Sequence, residues 1–187
     1  MPGAACDARV RGVRLTSVRE ERPEDAAAIR QVLAACFPTD AEARLVDLLR
    51  AAGHLTVSLV AEEDGQVVGH VAFSPVSAAS SEAGAGLAPV AVLPAYRRRG
   101  VAHALVEQGL ASCAALGFGW AVVLGEPGYY ARFGFRSAAG FGLVDEYGGG
   151  DAFQTIELQA GMLPEGAGPV RYAPEFESLD EPRGEGR

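Results

Sequence analysis

Cysteine is scarce in this 187-residue chain: Cys6, Cys36 and Cys113 are widely scattered and odd in number. Their spacing supports neither a disulfide framework nor a metal-ligand set, and Cys36 and Cys113 fall on apolar helix faces where buried thiols are expected. The three histidines, His54, His70 and His103, are equally dispersed, so no metal site is expected. No apolar run approaches the ~18 residues that a membrane span requires. Residues 1–14 lack the apolar stretch of a secretory signal, which makes a cytoplasmic location the expectation. There is no internal repeat and no linker long enough to divide two domains. Gly-x-Gly-x-x-Gly and Gly-Lys-Ser/Thr are both missing near strand ends, which excludes the common nucleotide-binding turns.

Positive charge is also in short supply. The formal net charge is −8, which argues against a general nucleic-acid surface. A protein this acidic repels polyanions at long range, so any phosphate site must concentrate its cations locally. Arg97, Arg98 and Arg99 form the one arginine triplet in the chain.

What is present describes a globular domain: 49% of residues are hydrophobic and 21% charged. One domain over residues 13–179 is expected, with flexible tails at 1–12 and 180–187. A first strand is predicted over 13–18. Pro23, Glu24 and Asp25 make a favourable first helical turn, followed by Ile29, Val32, Leu33 and Cys36 at helical spacing. Thr39 and Glu42 read as a capping box opening a second helix that Gly53 stops. Residues 55–61 and 66–73 read as strands joined by a hairpin turn at Asp64-Gly65, the second closed by Pro75. Residues 77–86 are small and read as a flexible loop, as do Gly148 to Gly150. A strand over 87–93, a helix from Gly100 to Gly117 and a buried strand over 120–124 follow, then strands over 135–144 and 154–158. This order predicts a mixed α/β domain in which one crossover makes two neighbouring strands parallel.

The segment from Val90 to Ala102 joins a buried strand to a helix through the arginine triplet and Gly100. The first turn of a helix leaves backbone N–H groups unpaired and carries partial positive charge, so it attracts an anion. Glycine lets the backbone approach phosphate oxygens, and arginine adds charge-assisted, often bidentate hydrogen bonds. Taken alone, the same residues also suit a solvated basic turn ahead of a core helix. The strand-to-helix context and a charge opposite to that of the whole chain favour the anion site.

Arg97-x-x-Gly100-x-Ala102 resembles the Gln/Arg-x-x-Gly-x-Gly/Ala signature of the GNAT superfamily of N-acetyltransferases. The resemblance implies the acyl-CoA N-acyltransferase fold: a mostly antiparallel sheet with a splayed, parallel central pair and flanking helices. It also implies that Arg97, Arg98, Arg99, Gly100, Val101 and Ala102 hold the pyrophosphate of acetyl-CoA. The backbone of Val90, Ala91 and Val92 would then pair with the pantetheine arm, beside a bulge with which Pro89 is compatible. Downstream, Tyr130-x-x-x-Gly134-Phe135 is similar to the family's Tyr-x-x-x-Gly-Phe motif, which implies Tyr130 as the acid that protonates the leaving thiolate. As an isolated feature, the Tyr129-Tyr130 pair reads equally as packing on a short helix. The likeness runs from about residue 13 to 176 and extends to a bacterial branch of predicted acetyltransferases. An Asn-rich start to the fourth helix is absent.

The expected activity is transfer of an acetyl group from acetyl-CoA to a primary amine of a small molecule or protein, by direct attack in a ternary complex. The protein would act as a monomer or homodimer without nucleic acid, membrane or metal. A rival reading keeps the pocket without turnover, as an acyl-CoA-binding or sensing domain. Glu126, Asp145 and Glu146 lie near the motifs, but each also reads as a surface or capping acid. An N–H near Val92 would stabilise the oxyanion. Residues 77–86 and 144–154 are where acceptor selection is expected.

Overall fold

The structure, a computed structural model, describes residues 16–79 and 81–179. The expected tails, Cys6 and the start of the first predicted strand lie outside them.

Strand β1 (Ser17–Glu20) leads through a 3-10 turn at Pro23–Asp25 into helix α1 (Ala26–Cys36). Arg19 fastens this corner: its guanidinium donates to Asp25 at 2.6 and 3.0 Å and to Glu62 at 2.7 Å. The hydrogen bonds from Arg19 hold the Asp25 carboxyl below the usual carboxylate range, against the opposing effect of burial. Helix α2 (Ala41–Ala52) starts later than the Thr39 box predicts. The Thr39 hydroxyl accepts from Ala41 N–H at 3.2 Å and donates to the Glu42 side chain at 3.5 Å, so no reciprocal box forms. Gly53, with φ 76°, ends the helix as expected.

Strands β2 (Val57–Glu63) and β3 (Gln66–Ala78) are joined at Asp64-Gly65, whose φ values of 53° and 77° are those of a hairpin turn with two left-handed positions. Two expectations fail next to each other here. Strand β3 runs through Pro75, and the stretch read as a loop belongs largely to β4 (Ser81–Val92), with Pro75 opposite Ala85 and Val76 opposite Gly84. Small residues there provide space rather than flexibility. A Cβ on Gly84 would overlap the Trp120 indole, and one on Gly86 would crowd Val76.

Helix α3 (Val101–Ala115) returns the chain to β5 (Trp120–Leu124), the strand parallel to β4. A short helix α4 (Pro127–Tyr130) follows. The strand expected over 135–144 is broken: β6 (Arg136–Ser137) and β7 (Leu143–Asp145) are separated by a 3-10 turn that ends at Gly142, φ 70°. Strand β8 (Phe153–Glu157) inserts between β5 and β6, giving the sheet order β1-β2-β3-β4-β5-β8-β6. Strand β9 (Gly168–Val170) pairs in parallel with β7 as a separate ribbon. A 3-10 segment at Pro174–Leu179 packs on α2. Among the described residues, no helix is long and apolar enough to cross a membrane.

Alternation along the strands gives the sheet two different faces. Leu59, Val71, Phe73, Ala85 and Val123 pack under α3 with Leu105 and Val106. Val60, Ala72, Ala88 and Ala91 face α1 and α2, meeting Ile29, Leu33, Leu45 and Leu49. Further along that second side, Trp120 and Val122 are covered by Leu143 and Val170 of the ribbon.

The contact between Gly84 and Trp120 starts the parallel pair, because these two residues are directly opposite in its register. Gly84→Ala should therefore lower stability by about 1–3 kcal/mol through overpacking, a fall in Tm of roughly 2–12 °C for a chain of this size. A thermal melt that matches the parent protein would contradict this placement of the indole.

Candidate active site

Strands β4 and β5 pair only at Gly84↔Trp120, Ala85↔Ala121 and Gly86↔Val122, although β4 continues to Val92 and β5 to Leu124. Beyond Gly86 the two strands part. On its other side β4 stays with β3, but the register changes from Phe73↔Leu87 to Val71↔Val90. Two β4 residues, Ala88 and Pro89, thus stand opposite one β3 residue, Ala72. This is a bulge at the position Pro89 suggested, where a residue without an N–H removes no needed ladder bond.

Leu93 N–H donates to Val68 C=O at 2.9 Å, so its peptide faces β3. Successive strand residues direct their backbone groups to opposite sides, so Val92 and Val90 face the gap. The Val92 carbonyl is already engaged there, accepting from Arg97 Nε at 3.0 Å and from the Cys36 thiol at 3.2 Å. One carbonyl therefore ties together the end of β4, the arginine turn and the end of α1.

The turn continues through a 3-10 segment at Pro94–Tyr96. Arg98 and Gly100 have φ values of 60° and 81°. Such left-handed positions fold backbone amides into a concave, anion-accepting surface. No side chain caps α3, and its first backbone bond runs from Ala104 N–H to Gly100 C=O at 2.9 Å. The N–H groups of Val101, Ala102 and His103 precede that bond and have no acceptor within the helix. A Cβ on Gly100 would have nothing within 4 Å, so the space before this turn is open. Arg97, Arg98 and Arg99 are all exposed, and Arg99 lies 5.2 Å from the Tyr96 ring centroid and 3.4 Å from the buried Glu63 carboxylate. The structure thus joins Val90, Ala91 and Val92 to Arg97–Ala102 as one continuous edge and cradle. These residues fit a diphosphate followed by an extended chain bearing amides.

Tyr130 lies at the end of α4, directly after β5, and is 7% exposed. It belongs to the same packed cluster as Val92 and Val101, under α3. Its ring rests on Gly125, where any Cβ would overlap it, and meets Phe135 and Tyr129 edge-on at centroid distances of 5.7 and 5.0 Å. Burial pushes the phenol up to about 12, with Tyr129 adding to the shift, so Tyr130 holds its proton more tightly than an ordinary phenol does. Tyr129 is half-buried beneath the Arg132 guanidinium, 4.5 Å from its ring centroid.

Each of the three carboxylates near the motifs holds backbone. Glu126 caps α4, accepting from Gly128 and Tyr129 N–H at 3.0 and 2.6 Å. Asp145 Oδ2 accepts from Gly149 N–H at 2.6 Å, and Glu146 accepts from Tyr172 N–H at 3.1 Å. Among the described residues, no cluster of His, Cys, Asp or Glu is arranged to hold a metal ion.

The second face carries a feature that sequence reasoning missed. A chamber of about 350 Å³ opens beside the β4 bulge, lined by Phe37, Glu42 and Leu45 on one side and Tyr147, Tyr172 and Phe176 on the other. Leu87 to Pro89 and Leu124 border it where the strands diverge. Its walls come from segments more than 100 residues apart, and no local pattern signals such a meeting.

The geometry agrees with what the chain resembles. Residues 26–135 match the model of the acetyltransferase (GNAT) family. The Escherichia coli K12 protein named uncharacterized N-acetyltransferase YhbS is 43% identical over 162 residues, 85% of this chain and 97% of that one. A crystal structure of E. coli YhbS in complex with CoA superposes with a TM-score of 0.85 at 42% identity, covering 88% of this chain and 93% of that one. A GNAT acetyltransferase from Brucella melitensis in complex with acetyl-CoA gives a TM-score of 0.73 at 41% identity, with 88% and 99% covered. The chain belongs to the GNAT family of acetyltransferases.

Gly100 adopts its left-handed conformation with open space around it, so conformational strain alone should govern substitution. Gly100→Ala is expected to cost about 1–2 kcal/mol, read as a fall in Tm of roughly 2–8 °C. No change would show that the backbone of this turn is not held at positive φ.

Proposed function

We propose that the protein transfers the acetyl group of acetyl-CoA to a primary amine, by direct attack while both substrates are bound. The observation that carries this reading is the open edge of β4 leading, through the turn over residues 93–100, into the uncapped, arginine-bearing start of α3. The relatives that hold CoA and acetyl-CoA, at 42% and 41% identity, support it.

In this reading the amides of Gly100, Val101 and Ala102 and the guanidinium groups of Arg97 and Arg98 take the pyrophosphate. Arg99, drawn toward Glu63 and Tyr96, adds its charge from behind the turn. Val90, Ala91 and Val92 supply a strand edge to which the pantetheine arm adds as a short extra strand. Acetyl-CoA brings an activated acyl group, and the remaining chemistry falls to the chain. A backbone N–H on the splayed stretch of β4 donates to the oxygen on which charge develops as the amine attacks. Tyr130 donates its proton to the departing sulfur.

The elevated proton affinity of Tyr130 shapes that last step. An ordinary thiol titrates near ~8.5, below the buried phenol, so full transfer to a free thiolate would be uphill. The phenol therefore stabilises the departing sulfur through a hydrogen bond, and the thiol is secured only as the resulting phenolate is itself reprotonated. The proton lost by the amine returns to the phenolate through solvent.

Tyr130→Phe keeps the ring packing and removes only the hydroxyl. It should lower kcat at least about tenfold, measured by thiol release, with the calorimetric affinity for acetyl-CoA unchanged. Gly100→Ala should instead weaken that affinity. Wild-type turnover in the phenylalanine variant would remove Tyr130 as the acid, and acetyl-CoA binding without thiol release across an amine panel would favour a sensing domain. Failure of the protein to bind acetyl-CoA would overturn the proposal.

A further inference from the structure

The chamber on the α1–α2 side has a chemistry of its own. Phe37, Tyr147, Tyr172 and Phe176 give it aromatic walls, and Tyr172 lies between neighbouring rings at centroid distances of 5.4 Å to Tyr147 and 5.1 Å to Phe176. Glu42 is the one carboxylate in the lining, and no arginine or histidine faces the chamber from the described lining residues. The local charge is therefore negative inside an apolar enclosure.

Two buried polar atoms have no hydrogen-bond partner: the hydroxyl of the lining residue Tyr172, and Oδ1 of Asp145, which stands behind the lining near that phenol. Unpaired buried oxygen atoms cost free energy, so such a pair marks a place where a donor is missing. Burial, followed by the nearby Asp145, Tyr147 and Glu146, raises the proton affinity of the Tyr172 phenol. Both also stand at the strand divergence. The Tyr172 ring would lie 3.5 Å from a Cβ on Gly86, the last β4 residue paired with β5. Asp145 holds Gly149, which packs against Leu124 at the end of β5.

We infer that this chamber receives the acceptor as a primary ammonium on a compact apolar or aromatic body, with the nitrogen at Tyr172 and Asp145 and the body among Phe37, Leu45 and Phe176. This inference rests on the acetyl-transfer reading above. An ammonium presents three donors and no acceptor, which suits a carboxylate and a phenol oxygen, while the aromatic faces add cation–π attraction. Beyond Glu42 the lining is apolar, so the carboxylate of a free amino acid has no cationic partner there and the third ammonium of a polyamine such as spermidine has no anionic one, which disfavours both. A volume of about 350 Å³ accommodates a small molecule and gives a protein surface no room beyond one inserted side chain.

The test uses the whole protein saturated with CoA, titrated calorimetrically with 2-phenylethylamine, 2-phenylethanol, spermidine and a lysine-containing peptide. The amine should bind at least tenfold more tightly than each of the others. Glu42→Gln, Tyr172→Phe and Asp145→Asn should each weaken the amine at least threefold, with CoA affinity and melting temperature retained as evidence of folding. With acetyl-CoA in place of CoA, 2-phenylethylamine should also show the highest kcat/KM. Amine binding with this preference but without thiol release would uphold the chamber and overturn acetyl transfer. Acetylation of spermidine or the peptide at equal or higher efficiency, or amine affinity unaltered in all three variants, would overturn the chamber and leave acetyl transfer standing.

Discussion

The parting of β4 from β5 after Gly86 is the constraint on which the rest of the site depends. A buried strand edge with unpaired backbone groups is costly in a folded domain unless something pairs with it. The bulge at Ala88 and Pro89 turns β4 away while β3 keeps hold of its other side. The Val92 carbonyl receives an arginine and a thiol, which steadies the strand end without closing the gap. The open edge is thus built into the backbone, and the turn that follows it leads to the uncapped start of α3.

That gap also divides labour between the two faces of the sheet. Under α3 lies the aromatic cluster of Tyr130, Phe133 and Phe135, whose packing raises the proton affinity of the Tyr130 phenol. On the side of α1 and α2 lies the chamber with its single lining carboxylate. An extended substrate held along β4 would separate these compartments, with a proton donor on one side and an amine receptor on the other. Such an arrangement lets an amine approach from one direction while the thiol leaves toward another.

Much of this was legible in the chain itself, and the reasons differ from element to element. Asp64-Gly65, Gly53 and the stripe from Leu105 to Cys113 are local signals, written in residues that permit few backbone alternatives. The arginine turn and the spacing of Tyr130 from Gly134 stood out by their likeness to the family's motifs, and the structure packs Tyr130 in one cluster with Val92 and Val101. Residues 77–86 misled for a physical reason: glycine and alanine looked like flexibility but make room for the indole of Trp120, which is more than thirty positions away. Pro75 was read as a strand end because its fit within the β3–β4 pair depends on register. Of the chamber, only Tyr147 falls in a stretch singled out beforehand, residues 144–154, since Phe37 and Phe176 meet it only after the C-terminal arm packs on α2.

The most direct examination of the account is a crystal structure of this protein grown with acetyl-CoA. Diphosphate oxygens within hydrogen-bonding distance of the Gly100, Val101 and Ala102 amides, with the pantetheine chain alongside Val90 to Val92, are the predicted result. A diphosphate bound elsewhere while that turn stays vacant, or a β4 edge closed onto β5, would contradict it.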